Sequence, residues 1–365
     1  MRKVVIGLGF GDEGKGHVVD WLASQDPDQS VIRYCGGHQV GHGVQDEHIH
    51  HIFSNFGSGT MKGLPTFWSA KTCDPVGFVR EYEDLKDYIP KIWISPNCPV
   101  TTPLDKAMNL RMQERNGHGT IGVGFGTTIQ REEDHYHLYF QDLFHQELLE
   151  AKYAQIIEYY SRHRSLTLSD HVIHQEFFDA CRKMVKLVDQ DLIPTEHEIY
   201  ESSQGLMLDQ DYGIFPNVTR SQLGTQEIIM SPQDELYLVT RAYQTRHGNG
   251  WCSPHEFKPD APNETNKYGT YQGEFRTRML DLDLLKYALT IDRGICNCHW
   301  SKRNLVITCL DHLNKDTGYP LTCDGHLMEF EYEWQFTDFI VKNLPDFCMV
   351  YTSHGPTQND IKRGY

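Results

Sequence analysis

The chain has 365 residues and carries 50 acidic against 34 basic side chains, a formal charge of −16. Such a length is ample for a sizeable core, and such a charge excludes a protein held non-specifically by nucleic acid or by an anionic membrane, so any nucleotide must be met by local positive sites. No apolar run approaches the roughly 18 residues of a membrane span, and the N-terminus enters a strand pattern directly, which gives the expectation of a cytoplasmic protein.

The first element is also the densest signal. Val4-Val5-Ile6 reads as a buried strand, Gly7 to Gly16 as a glycine-dense turn, and Val18 to Leu22 as the start of a helix. Glycines let backbone N–H groups approach an anion closely, and a helix start adds positive dipole and unpaired donors. From Gly9 the run fits G-x-x-x-x-G-K, with Lys15 as a point charge for the outer phosphates. Gly16 stands where the usual phosphate loop has Ser or Thr, so the magnesium-holding hydroxyl is missing and Asp12 is its natural replacement. A simple glycine turn with Asp12 as helix cap has the same local pattern, and the rest of the chain must decide.

A second short strand, Ser30 to Tyr34, leads into Cys35-Gly36-Gly37-His38-Gln39-Val40-Gly41-His42-Gly43. The imidazole of His42, flanked by glycines, is uncrowded and suited to donate near neutral pH. A helix is expected at Glu81 to Tyr88 and a strand at Lys91 to Ser95, which continues an α/β alternation. Residues from Gly117 to Thr128 form a third glycine-rich segment whose hydroxyls suit a second phosphate. Three such loops point to a shared nucleotide cleft.

Asp142 to Gln190 has apolar residues at helical spacing and no Gly or Pro, a pair or trio of covering helices. Its aromatics Tyr153, Tyr159, Tyr160, Phe177 and Phe178 read as core. Strand-and-turn patterns return at Glu198 to Gly205, Tyr237 to Tyr243, Leu305 to Asp311 and Met349 to Pro356, with a glycine loop at Thr245 to Gly250. Gly269 to Arg278 reads as a loop carrying Arg276 and Arg278, ended by an amphipathic helix from Leu280 to Leu289. No repeat or linker divides the chain, so one elaborated domain is expected. Ten cysteines, single apart from Cys296-x-Cys298, are expected as reduced thiols. His48, His50 and His51 cluster near Asp46 and Glu47 in a pattern shared by solvated surface loops and by metal sites.

In order, these segments resemble the adenylosuccinate synthetase family over nearly the whole chain. Gly11-Asp12-Glu13-Gly14-Lys15-Gly16 matches its phosphate loop, and Arg33 to His42 resembles R-Y-x-G-G-x-N-A-G-H. Glu201-Ser202-Ser203-Gln204-Gly205 with Asp209 to Ser221 resembles E-G-A-Q-G…D…G-T-Y-P-x-V-T-S-S. Ala242 to Gly250 resembles A-Y-T-T-R-V-G-x-G, Thr308-Cys309-Leu310-Asp311 resembles T-K-L-D, and Ser353 to Pro356 resembles S-x-G-P.

The resemblance implies a mostly parallel sheet flanked by helices, akin to the P-loop nucleoside triphosphatases, and a C–N ligase that joins L-aspartate to C6 of a purine nucleotide with GTP hydrolysis. Asp12 would take the N1 proton so that O6 attacks the γ-phosphate, with His42 and Lys15 stabilising the transfer. Gly11, Glu13, Gly14, Gly16 and Gly41 would cradle phosphates, and Asp12 with the Gly41 carbonyl would hold Mg2+. Gln39, Thr120, Gly122, Gln204 and Thr219 fall at acceptor-nucleotide positions. Asp311, Ser353, Gly355 and Pro356 fall at the donor base. A homodimer is implied, in which one subunit lends an arginine to its neighbour's acceptor phosphate, and Arg131 is the nearest candidate.

The departures cluster around the acceptor. In the aspartate loop, G-x-T-T-G-R-P-R-R, the chain places Glu274 where an arginine meets aspartate and ribose, leaving Thr270, Gln272, Arg276 and Arg278 for the amino acid. Asn-Ala before the catalytic His has become Gln39-Val40, and Thr-Gly-Arg-Gly has become Ile121-Gly122-Val123-Gly124. An altered acceptor site beside an intact catalytic pair favours the phage-type branch, in which dGMP replaces IMP on the way to diaminopurine DNA and the host cytoplasm is the setting. IMP is the alternative acceptor. Asp12 and Asp311 lean the donor to GTP rather than ATP, although Cys309 replaces the lysine that packs on guanine. A regulator without turnover would show damage at Asp12, Lys15 or His42, and none is damaged.

Overall fold

The computed structural model describes residues 1–46, 49–116, 119–162, 171–266, 268–269, 272–298, 301–344 and 347–364. Strand β1 (Arg2–Gly7) leads to α1 (Lys15–Ser24), β2 (Gln29–Arg33), the hairpin of β3 (His42–Gln45) and β4 (His50–Phe53), and β5 (Thr66–Trp68). Next come α2 (Pro75–Leu85), β6 (Ile92–Ile94), α3 (Pro103–Asn116), α4 (Phe125–Glu133), α5 (Gln146–Ser161) and α6 (His171–Leu187). The remainder is β7 (His197–Gly205), β8 (Glu235–Arg241), β9 (Tyr243–His247), β10 (Phe275–Asp281), α7 (Leu282–Ile295), β11 (Lys302–Thr308), β12 (Tyr319–Cys323), β13 (His326–Phe330), α8 (Glu333–Asn343), β14 (Met349–Ser353) and β15 (Ile361–Arg363).

Nine strands form one sheet in the order β15-β14-β11-β8-β1-β7-β2-β5-β6. All its pairings are parallel except β14 with β15 at one edge, which is the mostly parallel sheet expected. Val4, Val5 and Ile6 of β1 are fully buried, because helices cover both faces of such a sheet and its central strands become continuous apolar runs. The C-terminal ends of β1, β2, β7, β8, β11 and β14 gather along one edge, where open α/β sheets bind their ligands.

A second sheet, β13-β12-β10-β9, starts one residue beyond β8, with Ala242 between Arg241 and Tyr243. Arg276 and Arg278 therefore sit on strand β10 and not in a loop, opposite Arg246 and Gln244 of β9. The helix that follows begins at Leu282, later than its periodicity suggests, because the Asp281 carboxylate caps it by accepting from the N–H groups of Asp283 and Leu284. Helix α2 starts six residues earlier than expected, with Pro75 in its first turn.

The helical cover is α5 and α6, packed with α2 on the β5–β6 side of the sheet, and its residues 163–170 lie outside the described ones. Tyr153, Tyr160 and Phe177 are buried there, with Tyr159 and Phe178 packed against them. All ten cysteines are free thiols. Among the described residues no helix is long and apolar enough to cross a membrane.

The junction of α3, α4 and α5 is organised by Asp105. Its buried carboxylate accepts from Arg131 Nε at 3.0 Å, Tyr160 Oη at 2.7 Å, and both the N–H and hydroxyl of Thr102 at 2.7 Å. Breaking a buried ion pair strands the surviving charge, so Asp105→Ala is expected to cost about 3–5 kcal/mol of unfolding free energy in urea titrations. A loss below about 1 kcal/mol would show that the junction does not depend on this pair.

Candidate active site

The loop from β1 to α1 wraps around one of its own side chains. Glu13 accepts from Gly9 N at 3.0 Å and Gly11 N at 2.8 Å, and its other oxygen is 2.6 Å from Lys15 Nζ. Gly7 and Gly205 wall this carboxylate closely: a Cβ on either would lie within 2.4 Å of it. Lys15 is thus a buried, neutralised cation. The N–H groups of Gly14, Lys15 and Gly16 lie at the start of α1, and the Glu13 side chain braces the loop that leads to them.

Asp12 adopts φ of 60°, a strained conformation for a residue with a side chain, which turns its carboxylate out to the cleft with 27% exposure. Oδ2 lies 3.2 Å from His247 Nε2, and Arg241 donates to its carbonyl. Burial alone pushes the carboxyl pKa up, but His247, Arg241 and Lys15 together hold it below the ordinary value, so Asp12 is ionised at neutral pH.

His42, at the start of β3, is buried. Its Nδ1 is 2.5 Å from Glu201 Oε1 and its Nε2 is 2.9 Å from the Ser203 carbonyl. Two acceptors favour a doubly protonated ring, whereas burial lowers its pKa, and burial prevails. Glu201 also accepts from the Ser58 hydroxyl and, at 3.0 Å, its N–H. Burial opposes its ionisation, but His42, Arg33 and these hydrogen bonds bring its pKa down to about 2. The β1–β7 register slips between Val5↔Glu201 and Gly7↔Gly205, and that irregularity turns Ser203 and Gln204 into the cleft. Gly16 explains the missing hydroxyl: a Cβ there would stand 2.8 Å from His42 Cβ.

These groups open on one cleft of about 950 Å³. Asp12, Lys15, His42, Gly11, Gly14, Gly16, Gly41, Gln39, Thr120, Gln204, Thr219 and Gln272 line it. Both amide atoms of Gln39 and the Gln204 Oε1 are buried without a partner, as side chains awaiting a polar ligand would be. The Asp12 carboxylate and Gly41 carbonyl are hard oxygen donors on the same wall, and they fit magnesium.

Other expected residues are placed elsewhere. Arg131 is a correction: its guanidinium is sealed among Asp105, Glu132 and the carbonyls of Val100 and Tyr136, so it cannot reach a neighbour's phosphate. Arg276 donates to the Gly248 and Gly250 carbonyls and Arg278 to that of Thr277, and neither lines the cleft. Gly122 caps no helix but hydrogen-bonds Thr120 Oγ1 within the third glycine segment. Glu274 is exposed and outside the cleft lining, and Thr270 lies outside the described residues. Asp311, Ser353, Gly355 and Pro356 form a separate group beyond β11 and β14, where Ser353 Oγ meets the buried His17 Nε2 at 3.0 Å. His51 faces Glu81 at 3.5 Å, His48 is outside the described residues, and among those described no metal-capable grouping includes His50 or His51.

Glu201, Arg220 and His247 were missed as site residues. For His247 the signal was present, since it stands where the family pattern A-Y-T-T-R-V-G has valine. Its pKa is raised, burial being outweighed by Asp12. Because His247 helps to hold the Asp12 pKa down, His247→Leu is expected to move that carboxyl's titration to higher pH, read by carbon NMR. An unmoved titration would show that the pairing contributes nothing.

The adenylosuccinate synthetase family model matches residues 4–325. Adenylosuccinate synthetase of Bordetella pertussis is 31% identical over 274 residues, 68% of this chain and 62% of that protein, so the chain spans less than two thirds of that relative. The Psychrobacter arcticus enzyme of the same name is 29% identical over 365 residues, covering 90% and 83%. The fold is similar to fully ligated adenylosuccinate synthetase from Plasmodium falciparum, with a TM-score of 0.79, 16% identity and coverage of 100% and 99%. It is also similar to cyanophage S-2L succinoaminodeoxyadenylate synthetase bound to dGMP and dATP, with a TM-score of 0.65, 14% identity and coverage of 99% and 95%. With the family model spanning most of its length, the chain belongs to the adenylosuccinate synthetase family.

Proposed function

We propose that this protein joins L-aspartate to C6 of a purine nucleoside monophosphate, driven by nucleoside triphosphate hydrolysis through a 6-phosphoryl intermediate. The observation that carries the reading is one cleft holding an ionised Asp12 in the phosphate loop, the Glu201-held His42, the unpaired Gln39 amide and the unpaired Gln204 Oε1.

Asp12 accepts the N1 proton, and the purine O6 attacks the γ-phosphorus, breaking the bond to the β-phosphate oxygen and releasing the nucleoside diphosphate. When protonated, His42 donates from Nε2 to the charge that develops on the γ-phosphoryl group, while Glu201 holds the ring through Nδ1. Lys15 and the loop amides stabilise the polyphosphate. The amine of aspartate then adds at C6, expels the phosphate and loses its proton to solvent. Asp12 and the Gly41 carbonyl would hold Mg2+, which when bound neutralises polyphosphate charge. Gln39, Thr120, Gly122, Gln204 and Thr219 meet the acceptor, and Gln272 meets aspartate. Asp311, Ser353, Gly355 and Pro356 meet the donor base, with GTP favoured over ATP by the carboxylate at 311.

For the acceptor we favour dGMP, giving 2-amino-2′-deoxyadenylosuccinate. Support comes from the substitutions at Gln39-Val40 and Ile121 to Gly124, and from the fold shared with the cyanophage enzyme that binds dGMP. IMP is the second reading, favoured by the adenylosuccinate synthetase names of the sequence relatives.

Phosphate release measured with aspartate, GTP or ATP, and IMP, GMP or dGMP in parallel is expected to be fastest with dGMP, and a preference for IMP would overturn that choice. Asp12→Ala is expected to lower turnover at least 10³-fold, roughly the loss of a general base together with a metal ligand. Turnover within a few-fold of wild type would remove Asp12 from the mechanism.

A further inference from the structure

We propose that Arg220 binds the 5′-phosphate of the acceptor nucleotide from within the same chain, an inference that rests on the acceptor reading above. A nucleoside monophosphate brings nearly two negative charges, and hydroxyl donors such as Thr120 and Thr219 do not balance them. Among the described residues, four Lys or Arg side chains line the cleft: Lys15, Arg220, Arg241 and Arg246.

Two are committed as ion pairs. Lys15 is ion-paired with Glu13, and Arg241 binds Glu264 at 2.7 Å and the Asp12 carbonyl. Arg246 is held over the Phe10 ring and donates from Nε and Nη2 to the Asn249 and Asn217 carbonyls, leaving only its buried Nη1 without a partner. Arg220 differs. Its Nη2 donates to Gln130 Oε1 at 2.8 Å and its Nη1 is 3.3 Å from Glu133 Oε2, with side-chain exposures of 44% and 57% across that pair. Water screens such an ion pair, so a phosphate can take the guanidinium from Glu133.

Position supports the same role. Arg220 directly follows Thr219, and its anchors Gln130 and Glu133 are on α4, the helix that starts just after the Thr120 loop. The side chain therefore reaches from the Thr219 segment to the C-terminal half of α4, and Gln130 lines the same cleft as Thr120 and Thr219. Arg220 also stands where the family pattern P-x-V-T-S-S has serine, so the charge is this chain's own addition. With Arg131 sealed by Asp105, Arg220 gives the acceptor site a cation that requires no second subunit.

The test is calorimetric binding of dGMP and of deoxyguanosine, and of IMP and inosine, to wild type, Arg220→Ala and Arg220→Lys. The alanine variant is expected to bind the nucleotides roughly tenfold or more weakly and the nucleosides unchanged, with lysine recovering part of the loss. Nucleotide affinity unchanged in Arg220→Ala, or nucleoside affinity falling in step with it, overturns the assignment. If wild type binds neither dGMP nor IMP, the acceptor reading falls first and the proposal with it.

Discussion

The site depends on the Glu13 carboxylate buried inside the phosphate loop. A loop of closely spaced N–H groups and a lysine carries strong positive potential, and in a ligand-free protein that potential must be balanced or the loop will not keep its shape. Glu13 balances it with the Gly9 and Gly11 amides and the Lys15 ammonium. Glycine at 7 and 205 is then dictated by the carboxylate's size, and the slip between β1 and β7 follows the same wall. The turn so fixed holds Asp12 at positive φ, facing outward.

A second charge network holds the other half of the chemistry. Glu201 lies on the strand between β1 and β2, opposite both Val5 and Arg33, so its position is set by the most rigid part of the sheet. Its carboxylate is ionised through His42 and Ser58, and it fixes the imidazole more firmly than a loop contact would. The orientation of His42 derives from strand register, while both amide atoms of Gln39 and the Gln204 Oε1 remain unpaired beside the cleft. The arginines of the second sheet show the converse. Arg276 stands across from Arg246, their repulsion adds to burial in lowering the Arg246 pKa to about 10, and Arg276 is drawn off to backbone carbonyls.

Much of this was legible in the sequence. Apolar runs ending in glycine loops identify parallel strands, and loops with unusual backbone need announce their ligands through glycine spacing. What was hidden is instructive. Arg131 reads as a surface cation because arginine seldom loses all water, and only the three-helix junction shows Asp105 and Glu132 consuming it. Phe275 to Asp281 mixes loop and strand characters, and pairing with β9 decides between them. Glu201 looked like an ordinary strand residue since its partner is 159 positions away. Arg220 and His247 departed from the family pattern, and such departures are informative only when the facing residues are known.

The contact between position 16 and His42 bears on which residues the phosphate loop can accept. Any Cβ at 16 would stand 2.8 Å from His42 Cβ and 3.0 Å from the Gly43 carbonyl. An exchange of Gly16 for serine or threonine would therefore have to displace the start of β3, and the His42 ring with it.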